Sequence, residues 1–517
     1  MNEICHLLAL CFVLQGFAPT KAKSAEAAPD IEWQRGFGGD LGDQLRSILE
    51  TSDGGYILAG STASSISGNK TSPYYGMSDS WVIKLDSSGN KEWEQSYGGS
   101  SYELIWYIQE NAGGYILGGS SSSTISGNKT SPYYGTDDYW ILQLDATGNK
   151  VWEQSCGGTS QDESFGLQEE TDGYVLGGWS DSGFSGNKTN ATYGGSDFWL
   201  VKLDLNRNKI WERSFGGSGN DACYTMQKAI GGGYVLGGES SSAISGNKTT
   251  TNYGGSDFWL VKVDLNGNKV WEKSFGGSGN DSLKSLQQTS DGSYILGGFS
   301  NSGVSGNKTT TNYGGADYWV IKVDGNGGKQ WERTFGGTND ENLYDLRQTT
   351  DGGYLLAGQS SSGPSGNKTA TNYGAADYWL IKLDASGNKV WEQAYGGDSI
   401  DNCYTVRETK DGGYIVGGSS KSGVSGIKSV ANYGVYDYWV IKLAPPKPVL
   451  NISQAVGNVT LGWSAVIGKT YRVEYKSRLN DPNWTALGGD VLATGNSLSK
   501  IDSIGTNRCR FYRLKVL

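Results

Sequence analysis

The sequence predicts an all-β protein: a seven-bladed β-propeller whose N-terminal strand closes the last blade, followed by a small β-sandwich. Three observations carry this. Trp33, Trp93, Trp152, Trp211, Trp271, Trp331 and Trp391 recur every 59 or 60 residues. A second set, Trp81, Trp140, Trp199, Trp259, Trp319, Trp379 and Trp439, keeps the same period, as does a Gly-Tyr pair from Gly55-Tyr56 to Gly413-Tyr414 (Ser293-Tyr294 in the fifth copy). The 517 residues include 80 Gly, 18 Trp and 31 Tyr but only 9 Pro and 3 Met, which suits short strands and tight turns better than helices. One unit copied seven times, each copy unable to bury both faces alone, stacks into a shared core.

Residues 1–27 read as an export signal. An apolar run from Leu7 to Ala18, too short to cross a bilayer as a helix, precedes small residues with A-x-S and A-x-A cleavage options, although Glu3 stands where Lys or Arg is expected. The Trp33 strand comes next, a fourth-type strand with no partners before it. In the fifth copy Leu283 to Thr289 is a first strand, turned by Ser290-Asp291-Gly292, and Tyr294 to Phe299 is a second. A polar stretch, Ser300 to Ala316, leads to a third strand from Asp317 to Val323. Asp324 to Gly328 turns the chain into a fourth, Gln330 to Phe335. The last copy stops after its third strand at Leu443, so the Trp33 strand is expected to complete that blade and remove both open edges. The propeller is thus expected over residues 31–443, a stiff Pro-rich linker over 444–448 and a sandwich over 449–517, where Val459–Trp463, Tyr471–Tyr475 and Phe511–Leu514 alternate.

The formal net charge is −10, yet residues 449–517 carry +5 and residues 1–24 carry +1, leaving −16 on residues 25–448. An acidic body argues against nucleic acid as a partner. The only histidine, His6, lies in the expected signal. The mature chain would therefore have no Ser-His-Asp or Cys-His nucleophile and no histidine-ligated metal. No metal and no cofactor are expected. Cys156, Cys223, Cys403 and Cys509 have no close spacing, so no disulfide framework is expected.

Acids recur in every copy. Asp43, Glu103, Asp162, Asp221, Asp281, Asp340 and Asp401 follow a Gly-Gly turn, and Asp79, Asp138, Asp197, Asp257, Asp317, Asp377 and Asp437 precede the third-strand region's Trp. Such repetition reads as turn and cap chemistry, not catalysis. The Asp-x-x-Gly-Asn turns lack EF-hand spacing and read as hairpins. Catalysis wants a residue that breaks the sevenfold pattern; Trp106, Trp179, Glu239, Arg347 and Arg407 do so without forming a known constellation, and no catalytic residue is assigned. The long second-to-third-strand loops crowd one rim and repeat Lys70, Lys129, Lys188, Lys248, Lys308 and Lys368, followed by Tyr75, Tyr134, Tyr193, Tyr253, Tyr313 and Tyr373. These are the candidate binding residues; the structural alternative is that they lock each loop to its neighbour.

The runs Asp351-Gly352-Gly353-Tyr354, Asp377-Tyr378-Trp379 and Gly387-Asn388-Lys389-Val390-Trp391 resemble a bacterial family of exported, Trp- and Gly-rich repeat propellers of about 60 residues per repeat. Residues 449–517, with Trp463, Asn483-Trp484 and Phe511-Tyr512-Arg513-Leu514, resemble the fibronectin-type-III-like tail module of planctomycete–verrucomicrobial secreted proteins. Asp86, Gly89 and Trp93 are similar to the tryptophan-docking repeat of quinoprotein dehydrogenases, one residue short and without their adjacent cysteines; its implied role is stacking. The resemblances imply fold and location, not a reaction. The expected protein is a monomeric, secreted or cell-surface scaffold, with no integral membrane segment, that binds carbohydrate or another exported protein. The alternative is a polysaccharide hydrolase or lyase using carboxylates in the channel mouth.

Overall fold

The computed structural model describes residues 8–10, 27–448, 450–455, 457–466, 468–495, 497–504 and 510–517. Every regular element among them is a β-strand. The chain divides into two compact units: Ile31–Thr409 with Tyr414–Leu443, and Met1–Asp30 with Lys410–Gly413 and Ala444–Leu517.

The larger unit contains seven four-stranded antiparallel sheets. Six run in chain order; the fifth has strands Asp281–Gln288, Tyr294–Ser300, Asp317–Val323 and Lys329–Phe335. The first strand thus begins two residues earlier than the sequence suggested, at the acid itself. In the seventh sheet, Asp401–Glu408, Tyr414–Ser420 and Asp437–Leu443 take Ile31–Phe37 as fourth strand, with Trp33 opposite Lys442 and Phe37 opposite Tyr438. The turns follow from their residues. Asp384 Oδ1 accepts from the amides of Ser386 and Asn388, both at 2.9 Å. Gly387 sits at φ +79°, and a Cβ there would stand 3.0 Å from the Trp331 ring of the preceding sheet.

Both tryptophan sets pack between sheets. The third-strand tryptophans are fully buried. Tyr318 lies 4.8 Å from Trp379 between ring centroids, and its hydroxyl donates to the Trp379 carbonyl at 3.0 Å. Tyr438 of the seventh sheet does the same to Trp81 of the first, at 4.9 Å between rings and 3.2 Å to the carbonyl. The fourth-strand tryptophans reach the next sheet's second strand, as Trp331 does Tyr354 at 5.9 Å. First strands of successive sheets lie against one another, and Asp401–Glu408 lies against Asp43–Glu50.

The recurrent acids cap turns. Asp281 Oδ2 accepts from the Gly277 amide at 2.7 Å and the Ser302 hydroxyl at 2.8 Å; Asp257 Oδ2 accepts from the Tyr253 amide at 2.6 Å. One assignment needs correction. In the sixth copy the buried acid is Glu341, whose carboxylate accepts from the Gly337 amide at 2.7 Å, while Asp340 is exposed. An Asn-Asp-Glu run offers two acids, and only Glu341 starts the strand.

In the other unit, Leu450–Ala455, Asn458–Ser464 and Ser497–Ser503 form one sheet, and Arg510–Val516 with Thr470–Lys476 forms the centre of a second. They share a core that includes Leu461, Trp463, Tyr471, Val473 and Leu514. The expected signal falls mostly outside the described residues; its Leu8–Leu10 pair antiparallel with Arg510 to Tyr512. His6, Cys5, Cys11 and Cys509 also lie outside them. Cys156, Cys223 and Cys403 are buried and free. Among the described residues no helix is long and apolar enough to cross a membrane.

Candidate functional site

The expected lysines are not on the rim's surface. Lys70, Lys129, Lys188, Lys248, Lys308 and Lys368 are all at most 2 % exposed. Lys70 Nζ donates to the Ser72 carbonyl at 2.7 Å, Lys308 to that of Thr310 at 2.8 Å, and Lys368 to those of Ser362 and Ala370 at 2.8 and 2.7 Å. Burial lowers the Lys308 ammonium, while Asp281, Glu332 and Asp317 support its charge. The loop folds over its own lysine because the neighbouring residues are tied elsewhere: Asn307 Oδ1 accepts from the Gly276 amide at 2.9 Å, and the Thr309 amide donates to Glu332 at 2.6 Å. These six lysines are therefore internal locks, a correction to their reading as ligand contacts. A Lys308→Met variant should lose about 2–4 kcal/mol of stability with ligand affinity unchanged, checked by calorimetry and binding on one preparation.

The tyrosines are half-exposed or exposed. Tyr75 and Tyr134 are half-buried, whereas Tyr193, Tyr253, Tyr313 and Tyr373 are 36 to 47 % exposed. Each covers the next loop's left-handed glycine: a Cβ on Gly366 would meet Tyr313 Cβ at 2.9 Å, and one on Gly68 would meet Tyr433 Cβ at the same distance. Tyr193 also lines an open cleft of about 380 Å³ with Arg213 and Lys269.

A different set of side chains is gathered by a backbone feature repeated in all seven sheets. Each first strand carries a β-bulge, and the unpaired residues are Arg46, Trp106, Phe165, Tyr224, Lys284, Tyr344 and Tyr404. A bulge re-aims a side chain out of the sheet's alternation. Because the first strands adjoin, these side chains meet. Tyr344 and Tyr404 lie 5.0 Å apart, the Arg46 guanidinium is 4.1 Å from the Tyr404 ring centre and 4.6 Å from that of Trp106, and Trp106 is 4.8 Å from Phe165. Phe165 meets Tyr224 edge-on at 5.4 Å, and Lys284 Nζ stands 3.5 Å over the Tyr224 ring. The result is a girdle of five aromatic and two cationic side chains. Arg46 Nε and Trp106 Nε1 are buried donors without a hydrogen-bond acceptor.

At the long-loop end of the girdle stand further residues that break the repeat. Glu163 pairs across the ladder with Trp179, and Glu239 with Ala222. Tyr224 donates to Glu239 at 3.1 Å. Burial raises the Glu163 carboxyl to about 7, helped by Asp137 and Asp181 and opposed by Arg46. Burial lowers the Lys284 ammonium to about 8, opposed by Glu239. Towards the opposite end, Asp345 is buried with Arg407 NH1 at 2.5 Å and Arg347 Nε at 3.1 Å. Burial alone would raise its carboxyl, but the two guanidiniums hold it below the ordinary value. Thus Trp106, Trp179, Glu239, Arg347 and Arg407, scattered in sequence, all attach to the first strands or their immediate neighbours. Sequence reasoning does not find the girdle column as a whole: the position three after each buried acid is Tyr in three copies and differs in the other four, but the position one after the acid varies as much. Among the described residues no cluster of three or more His, Cys, Asp or Glu is arranged to hold a metal.

No family model matches the chain. It is 26 % identical over 239 residues to the regulatory protein FlaEY of Caulobacter vibrioides, a match covering 43 % of this chain and 24 % of that protein. The chain thus spans about a quarter of the curated relative's length. Among solved structures it is similar to Kuenenia stuttgartiensis hydrazine synthase (TM-score 0.37, 12 % identity, 66 % of this chain and 86 % of that one). It is also similar to a Synechocystis apocarotenoid oxygenase (TM-score 0.35, 10 % identity, 82 % and 96 %) and to an exo-β-1,3-galactanase of Phanerochaete chrysosporium (TM-score 0.27, 10 % identity, 94 % and 100 %).

Proposed function

We propose that this chain is an exported, monomeric recognition protein of the Trp/Gly-rich repeat type. Its seven sheets would form a closed seven-bladed propeller, and the girdle on its central channel would bind carbohydrate. Closure is supported by the contacts of the seventh sheet with the first, made through Tyr438 to Trp81 and Tyr433 to Gly68. The residues after Leu443 form a fibronectin-like spacer or adhesive module in this reading. The observation that carries the ligand class is the bulge column: five aromatic faces and two cations, brought together by one backbone feature repeated in all seven sheets. Aromatic walls with a few unfilled polar donors are what a ligand site needs, and the flat C–H faces of a pyranose suit such rings while its hydroxyls accept from Trp106 Nε1.

Titration of the full chain with a panel of soluble polysaccharides, read by tryptophan fluorescence and calorimetry, tests this. Trp106→Ala should weaken binding at least about tenfold, a loss of about 1.4 kcal/mol. Absence of binding across the panel, or an unchanged affinity in that variant, would overturn the reading. One observation favours a second reading, hydrolysis: burial raises Glu163 to about 7 with Asp137 and Asp181 acting on it, a donor acid near other carboxylates. Release of reducing ends from the bound polysaccharide, lost in Glu163→Gln, distinguishes it from recognition alone.

A further inference from the structure

We infer that the girdle's ligand is an anionic saccharide whose carboxylates are held by Arg46 and Lys284. This rests on the carbohydrate reading above and narrows it. The argument starts from what buried cations normally do in this chain. Each rim-loop lysine gives its ammonium to backbone carbonyls beside it, as Lys368 does. Lys382, under a turn, reaches both carboxylate oxygens of Asp351, at 3.0 and 2.8 Å. Lys284 has neither arrangement. Among the described residues its contacts are ring faces, Tyr224 at 3.5 Å and Phe299 at 5.6 Å, with no acceptor within hydrogen-bond reach. The nearest acid, Glu239, is engaged by the Tyr224 hydroxyl and lies beyond ion-pair distance of Lys284.

Arg46 repeats the pattern with different geometry. Its guanidinium carbon lies 4.1 Å from the Tyr404 ring centre and 4.6 Å from that of Trp106. One edge donor, NH2, is taken by Gln44 Oε1 at 2.5 Å, and Nε has no acceptor. A guanidinium packed against two rings, with a donor left without an acceptor, suits a carboxylate. A neutral sugar would leave both cations desolvated without a counter-charge, which is costly. Two such groups on different sheets suit a polymer that bears an acid on more than one residue, such as a polyuronate.

Glu163 does not oppose this. Its carboxyl stays largely protonated below about pH 7, where it can donate to a ligand oxygen. Lys284 sets the upper limit. Its ammonium, with Glu239 on the preceding sheet as the one charge acting on it and Tyr224 beneath it, discharges near pH 8. Anion binding should therefore weaken as pH rises from about 7 to about 9, while binding through ring stacking should not.

The test is calorimetric titration of the full chain with oligogalacturonate and with a cello-oligosaccharide of equal length. The uronate should bind more tightly, and Lys284→Met and Arg46→Gln should each weaken it at least about tenfold more than they weaken the neutral sugar. Lys284→Arg, charged at every working pH, should retain more uronate affinity at pH 9 than the native chain, the remaining loss being due to Glu163 ionising. Near-ultraviolet circular dichroism shows whether each variant is folded; should Lys284→Met not fold, the native chain's pH profile against that of Lys284→Arg decides. If the cello-oligosaccharide binds as tightly as the uronate, or the pH profiles of native and Lys284→Arg chains coincide, the anionic inference fails and the carbohydrate reading stands. If neither saccharide binds, or only a poly-glutamate peptide does, both fail.

Discussion

A chain lacking residues 27–37 should lose the cooperative unfolding transition of its seven-sheet unit. Ile31–Phe37 is the fourth strand of the last sheet by its ladder to Asp437–Leu443, but its side chains serve the first sheet as well. Trp33 packs on Tyr56 at 5.7 Å, and Arg35 donates to the carbonyls of Gly89 and Ser88 at 3.0 and 2.8 Å. Gln34 Oε1 accepts from the Trp439 indole at 3.1 Å, where four other sheets use a glutamate, such as Glu332 for Trp319. Phe37 joins Leu45, Tyr438 and Val440 in one buried cluster. Loss of a buried Phe or Trp side chain costs about 3–5 kcal/mol each, and a whole domain is stable by only about 5–15 kcal/mol. The shortened chain should aggregate or melt at least about 15 °C lower, whereas Phe37→Ala alone should cost about 3 kcal/mol. A peptide of residues 27–37 added in trans should restore the midpoint by strand addition. A shortened chain that melted with the native one would remove this strand from the closure.

The strands are legible in the sequence because their determinants are local. Period-two apolar runs, Asp-Gly turns and the phase of the tryptophans need no tertiary information, and Asp317–Val323 is bounded to the residue. The rim lysines are misplaced by sequence reasoning because a loop's composition does not say which way its side chains point. Lys308 turns inward since three acids and a carbonyl of its own loop outcompete water, a fact of packing and not of the Gly-Asn-Lys-Thr pattern. Glu341 is hidden beside Asp340 for a related reason: strand starts are set by the bulge register, which two adjacent acids do not reveal. The girdle lies between these extremes. Arg46, Trp106 and Lys284 each follow a buried acid by three residues, but neighbouring first-strand positions vary as much between copies, so aligning the copies does not single the column out. Its meaning requires the bulges, because without them alternation would leave such residues undistinguished from the rest of each first strand.

Lowering the pH from about 8 to about 5.5 should raise the melting temperature of the same unit by roughly 10 °C. In every sheet the third-strand aspartate faces the first-strand acid of the next. Burial, then that neighbouring acid, raises Asp79 to about 6 and Asp138, Asp197, Asp257, Asp317, Asp377 and Asp437 to about 7, against the pull of Lys70, Lys129 and their counterparts. One Oδ1 of each lacks a hydrogen-bond partner, as expected of a carboxyl that keeps its proton beside a second acid. The folded chain thus holds protons that the unfolded chain, with ordinary aspartates near 3.8, releases. This stabilisation is complete below the ordinary range and is lost as pH rises through 6 to 7. Even a tenfold tighter hold on the proton at each of these aspartates would total about 10 kcal/mol. The gain ends on the acid side, because Asp53, lowered to about 2, and the lowered Glu94, Glu153 and Glu392 lose their partners' support once protonated. The optimum should fall between about pH 4.5 and 6. Asp257→Asn, which keeps an acceptor for the Tyr253 amide, should stabilise at pH 8, do nothing at pH 5.5 and flatten the slope by about a seventh. Scanning calorimetry across this range decides it, and a midpoint that stayed level or fell on acidification would sink the idea. Because these aspartates lie between sheets and Glu163 and Lys284 lie on the girdle, the asparagine variants separate the pH dependence of stability from that of binding.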